Sequence, residues 1–210
     1  MSVVVARTVP AIASAGVVLT VGAVLMAGGD SGPLARHMAL HILAMNVAAP
    51  LLAALLVTRF RLPAPSPAWL WAAALGQLAA LWGAHLPAIH DGVAASHGLA
   101  FAMHGILLLA ALAFWIAVVA QPNDRTWHAI AALLVSGKLV CFLAVLLVFA
   151  PRALYGNPTH HMHPGLALAD QQLAGLLMIA ACPLSYLLAA IIMTVQFINE
   201  RFAAHARTAR

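Results

Sequence analysis

The sequence predicts an all-α integral membrane protein, a bundle of about six transmembrane helices with both termini in the cytoplasm. Hydrophobic residues make up 64% of the 210-residue chain and charged residues only 7%, where soluble domains carry about 25% charge. Mean hydropathy is +0.99. Apolar runs long enough to cross a bilayer, about 20 residues each, recur along the chain between Pro, Gly and charged residues. The whole of 1–210 reads as one transmembrane domain, because the short loops leave no room for a large extramembrane one.

The first run, 8–27, follows Arg7 and ends in Met26-Ala27-Gly28-Gly29. Those small residues resemble a signal-peptide cleavage site, and cleavage would leave five spans. The run exceeds the roughly 7–15 residues of a signal h-region and is read as a span. The second run, 36–57, opens at Arg36. The third, 68–86, follows a proline-rich turn and opens on Trp69 and Trp71. The fourth, 98–120, stops before Gln121-Pro122, the fifth, 127–150, before Pro151, and the sixth, 169–198, before Asn199-Glu200-Arg201.

Six spans put Arg7, Arg59, Arg61, Arg125, Arg201, Arg207 and Arg210 on one side and only Arg36 and Arg152 on the other. The positive-inside rule therefore places both termini in the cytoplasm. Trp69, Trp71 and Trp127 at span starts, with Trp82 and Trp115 near span ends, fit interfacial aromatic belts. Topology accounts for the net charge of +5, so no nucleic-acid partner is implied and membrane lipid is the expected surroundings. Cys141 and Cys182 both lie in apolar runs, which excludes a disulfide framework or a CxxC motif.

Eleven histidines are the unusual feature. With this orientation His37, His41, His85, His90, His97, His104, His160, His161 and His163 fall on the outer side, and His128 and His205 on the inner. His37, His41 and Met45 stand at i, i+4 and i+8, along one stripe of a helix. His97 and His104 are seven apart on the fourth span, with Met103 beside the deeper one. At about 1.5 Å rise per residue, His41 and His104 each lie on the order of 5–10 Å below the outer boundary. His160-His161-Met162-His163 adds a short His-rich tract of metal-binding composition.

Polar residues inside spans usually face a functional interior, which favours a metal site at His37, His41 and His104, with His97 and Met45 as further candidates. His85, Met103 and the tract His160, His161, Met162 and His163 are accessory candidates. His85 and His90 read equally as interfacial side chains, and Met45 and Met103 as core packing. Imidazole with thioether leans toward copper, especially the cuprous ion. Carboxylates are too few for calcium or magnesium, and no HExxH or nucleophile arrangement supports hydrolysis. Lys138, mid-span, should face protein or water. Asp170, opening the sixth span with Gln171 and Gln172, reads either as a helix-terminal carboxylate or as an orienting partner of a ligating histidine.

Several blocks carry a family resemblance. These are Arg36-His37-Met38-Ala39-Leu40-His41 with Ala48-Ala49-Pro50-Leu51-Leu52, Trp82-Gly83-Ala84-His85-Leu86-Pro87 with Asp91, His97 and His104, and Ala169-Asp170-Gln171-Gln172-Leu173-Ala174-Gly175-Leu176. In order and spacing they resemble the multi-span CtaG family, associated with cytochrome c oxidase assembly and copper delivery. The resemblance implies a non-enzymatic, multi-pass assembly factor of the bacterial inner membrane. It marks His37, His41, His85, His97, His104 and Asp170-Gln171-Gln172 as family motif positions. The chain is shorter than many relatives, with six spans where seven are common.

The expected function is therefore a metallochaperone that binds copper on its outer face and passes it by ligand exchange to the large subunit of a haem-copper oxidase. A periplasmic copper donor could load it through the His160 to His163 loop, and a homodimer is open. Two alternatives stay beside it: a b-type haem cytochrome ligated by His41 and His104, and a copper permease lined by Lys138, Asp170 and the glutamines.

Overall fold

The computed structural model describes residues 32–94, 96–155 and 164–208, and every regular element among them is helical. Helix α1 spans Pro33–Phe60, α2 Pro67–Ala84, α3 Pro87–Ala94, α4 His97–Val119, α5 Thr126–Phe149 and α6 Pro164–Thr208. The run expected at 8–27 and the His160 to His163 tract lie outside the described residues. α1, α4, α5 and α6 are each long and apolar enough to cross a membrane. The described chain thus holds four such helices, or five if α2 and α3 together form one broken span.

The expected third span at 68–86 needs correction. α2 stops at Ala84 and the chain bends by 73° into α3. Pro87 lacks an N–H and disfavours helical geometry in the residue before it. The last turn of α2 closes tightly, with the His85 N–H on the Trp82 carbonyl and the Leu86 N–H on the Gly83 carbonyl. The helix of the sixth span also runs beyond its 169–198 reading at both ends. α6 has 45 residues, about 68 Å at helical rise, so it overruns a hydrocarbon core of about 30 Å. Its last turns carry Asn199, Glu200 and Arg201, which suits a segment in water.

α1 contains a π-helical turn, Ala44–Ala48, and Pro50 gives the reason. Without an N–H, Pro50 cannot continue the regular ladder, and the Ala49 N–H reaches back to the Ala44 carbonyl. The Met45 carbonyl thereby loses both candidate partners in its own helix. The indole Nε1 of Trp115 on α4 donates to it at 3.1 Å.

α1 and α4 begin at the same end of the bundle at which α2 and α5 finish, and α6 begins there too. α6 packs along α5 and the first half of α1, while α4 packs against α2 and the second half of α1. Two glycines permit close approach. A Cβ at Gly175 would meet Val148 Cγ2 at 2.7 Å and the Ala144 carbonyl at 3.0 Å. A Cβ at Gly32 would collide with the Asp170 carboxylate.

That carboxylate plays the structural, helix-capping part among the readings of Asp170, but for a helix other than its own: Asp170 on α6 accepts from the Leu34 N–H at 2.9 Å and the Ala35 N–H at 3.0 Å, capping α1. Gln171 accepts from the Leu154 N–H at 2.6 Å and donates to the Leu147 carbonyl at 3.0 Å. Gln172 donates to the Val148 carbonyl at 3.4 Å. These are terminal carbonyls of α5, left without helical partners where Pro151 ends the ladder. The Asp-Gln-Gln run is a clasp joining the ends of three helices.

The buried centre holds Phe114, Trp115 and Tyr186 with ring centroids 5.5–5.8 Å apart. Gln77 donates to the Tyr186 hydroxyl at 2.7 Å, and Ser185 to Asn46 Oδ1 at 2.6 Å. Polar groups at this depth need such partners from within the protein.

Candidate metal centre

The histidines gather at the end where α1 and α4 begin. The α-helical repeat sets His37 and His41 one turn apart on one face of α1. α4 is capped by Ser96, whose hydroxyl accepts from the Leu99 N–H, and runs two turns before presenting His104 to that face. Ligand-capable nitrogens of His37, His41 and His104 lie within 4.8 Å of one another. The ring centroids stand 4.3 Å apart for His37 and His41, 4.8 Å for His37 and His104, and 4.7 Å for His41 and His104.

Hydrogen bonds orient the rings. His104 Nδ1 lies 2.6 Å from the Ala100 carbonyl and must donate to it, so in the neutral ring Nε2 carries the lone pair. That Nε2 is buried without a partner, as is His41 Nδ1. His41 Nε2 and His37 Nε2 are 2.8 Å apart, so one donates to the other. His41 is buried, while His37 and His104 are half-buried. Buried nitrogens with no partner cost free energy, and the cluster holds two of them.

His85 and His90 join the cluster from the bend. The His85 ring is 6.0 Å from that of His41, and the His90 ring 5.6 Å from that of His37. Nothing in their spacing from His37 or His104 announces this proximity. The Pro87 break is the signal, because it turns α3 back over the helix ends. Tyr155, in the segment after α5, stacks near His90 at 4.3 Å and donates to the His85 carbonyl at 3.0 Å. Burial, with Asp91 adding to it, pushes the Tyr155 phenol up to about 12, so it stays a donor at neutral pH.

The remaining candidates fall elsewhere. His97 is exposed at the first turn of α4, about 10 Å along the axis from His104, and stands outside the three-ring cluster. Met45 is buried at the π turn, where it lines a cavity with His41, Asn46, His85, Met178 and Tyr186. Met103 is buried in the core. Lys138 does not face the protein interior among the described residues but stands on the exposed face of α5 beside Val135 and Leu139. His128 stacks on the adjacent Trp127 at 3.5 Å. Met38, which the sequence reading passed over, lies with its sulfur 3.2 Å from His85 Nε2.

Fold and cluster together define a membrane-helix bundle with a polyhistidine centre at one end. The chain belongs to the cytochrome c oxidase caa3 assembly factor family (Caa3_CtaG), whose family model matches residues 2–200. No significant match was found among curated proteins or solved structures.

Proposed function

We propose that this assembly factor carries a cuprous ion on His37, His41 and His104 and hands it to the copper centre of a haem-copper oxidase. The observation that carries the reading is three imidazoles from two helices converging on one point, with buried nitrogens that have no protein partner. At about 2.0–2.1 Å per metal–nitrogen bond, ligand atoms in a shared tetrahedral or trigonal set lie about 3.3–3.6 Å apart. With one nitrogen from each ring, the present set lies within 4.8 Å, so closing on an ion needs a contraction of about 1 Å.

Imidazole ligands suit copper, and the thioethers of Met38 and Met45 near the cluster favour its reduced form. Ion release needs only ligand exchange, so no catalytic group is invoked. The chain is read as six spans with cytoplasmic termini in the bacterial inner membrane, which puts the centre on the outer side. The oxidase large subunit is the acceptor, and a periplasmic donor loads the site. The bis-histidine haem alternative is served less well, because rings of His41 and His104 4.7 Å apart, both against His37, leave no slot for a macrocycle between them.

The test is the metal content and visible spectrum of detergent-purified protein, for wild type and the His41→Ala, His104→Ala double variant. Near-stoichiometric copper lost in the variant, with no Soret band, supports the proposal. A histidine-dependent Soret band, or absence of copper after anaerobic cuprous loading, overturns it. In cells, deletion should lower oxidase copper content under copper limitation. A copper-replete oxidase there would reject the delivery role.

A further inference from the structure

The His85 ring presents a separate anomaly. Its backbone N–H turns to the Trp82 carbonyl, and its ring Nδ1 lies 2.7 Å from the Leu81 carbonyl. Nδ1 must therefore donate, and a neutral imidazole has only one N–H. Nε2 then carries a lone pair, and the atom it faces is Met38 Sδ at 3.2 Å. A thioether has no hydrogen to donate. Two electron-pair donors face each other inside the protein, His85 at 6% exposure and Met38 at 1%.

A second proton on Nε2 would relieve the contact only by burying an imidazolium, at high cost without a paired anion. A soft cation between nitrogen and sulfur relieves it directly. With bonds of about 2.0 Å to nitrogen and 2.3 Å to sulfur, a 3.2 Å separation corresponds to a ligand–metal–ligand angle of about 95°. Methionine's three rotatable bonds let that angle open.

We infer that His85 Nε2 and Met38 Sδ form a second cuprous site, more enclosed than the three-histidine centre and adjacent to it. The inference rests on the copper reading of that centre and deepens it. His41 is the shared neighbour, its ring 4.7 Å from His104 and 6.0 Å from His85, and His41 and His85 line one cavity. An ion moves inward by exchanging copper–nitrogen bonds to His37 and His104 for bonds to His85 nitrogen and Met38 sulfur. Copper stays cuprous throughout, and no proton or electron is transferred. Thioether favours the cuprous over the cupric ion, so the inner site selects the oxidation state of the cargo.

Anaerobic cuprous titration of the full-length protein against a chromophoric chelator, with copper-edge X-ray absorption, tests this. Wild type should bind two equivalents and show a sulfur scatterer. Met38→Leu, which nearly conserves volume, should bind one equivalent with nitrogen scatterers only. The His41→Ala, His104→Ala variant should lose the nitrogen-only equivalent and retain a sulfur-ligated one. One equivalent without sulfur in wild type overturns the inner site and leaves the three-histidine centre intact. No binding in wild type overturns both. Sulfur scattering that persists in Met38→Leu places the thioether elsewhere and overturns the assignment. Should Met38→Leu fail to fold, His85→Gln takes its place: loss of the sulfur-ligated equivalent supports the inner site, and its retention overturns the assignment.

Discussion

The indole of Trp115 donates to the backbone carbonyl of Met45 at 3.1 Å, supplying the partner that the π turn and Pro50 deny it. The bond ties α4 to α1 one helical turn below His41, and so sets the approach of the two helices that carry His37, His41 and His104. Trp115→Phe keeps much of the buried aromatic surface and removes the donor. The loss should cost about 1 kcal/mol, read as a lowered unfolding midpoint in detergent. An unchanged midpoint would mean that another donor satisfies the carbonyl.

The cap on α1 should be exchangeable only at a cost. Asp170→Ala removes an acceptor shared by the Leu34 and Ala35 amides, and loss of a cap costs about 0.5–2 kcal/mol. Gly32→Ala should weaken the same cap by displacing the carboxylate. Hydrogen exchange at residues 34 and 35 should quicken in both variants, with little change at the far end of α1.

Copper binding should separate two histidines of one helix. His104→Ala should lower cuprous affinity at least tenfold, since it removes an inward-facing ligand. His97→Ala should leave affinity within about twofold, because His97 is exposed and about two turns away. Equal losses in a chelator competition would place the site nearer the membrane surface than the three-ring cluster.

Gly175 is a point of close approach between α5 and α6. Gly175→Val forces a side chain against Val148 and the Ala144 carbonyl, and overpacking of this kind costs about 1–3 kcal/mol. Lower thermal stability and looser protection of the Gln171 side-chain amide should follow, the latter visible by NMR. A variant as stable as wild type would show that the helices can separate freely.

Alkaline pH should destabilise the segment after α5. Burial raises the Tyr155 phenol to about 12 from 10.0, so in that window the unfolded state releases the proton first. Stability from this group is therefore complete below pH 10 and lost progressively as pH rises toward 12. Tyr155→Phe should flatten the dependence while forfeiting the bond to His85. Tyrosinate absorbance that develops fully near pH 10 would contradict the burial.

Much of the bundle is legible in the sequence. The limits of α4 and α5 depart by one residue from the expected 98–120 and 127–150, because apolar run length and flanking prolines are local properties. The pairing of His37 with His41 follows from one helical turn, and the prominence of His104 from an imidazole inside an apolar run. The Pro87 break and the π turn at Pro50 are less legible. A proline announces a disturbance, but the direction in which the chain bends depends on what it meets. Asp170 shows the same limit, since a carboxylate at the start of α6 gives no sign that its partners are amides 135 and 136 residues earlier.

The sequence by itself determined that these segments are helices long and apolar enough to cross a membrane and on which face of each its histidines stand. Hydropathy and helical period depend on neighbouring residues alone. Only the tertiary structure decided how the faces meet: that the rings of His37, His41 and His104, grouped by the sequence reading, stand 4.3–4.8 Å apart, that His85 and His90 swing in from the bend, and that Met38 lies against His85 Nε2. The physical reason is that helix contacts in a bilayer rest on close packing and a few interhelical hydrogen bonds, and those are fixed jointly by segments far apart in the chain.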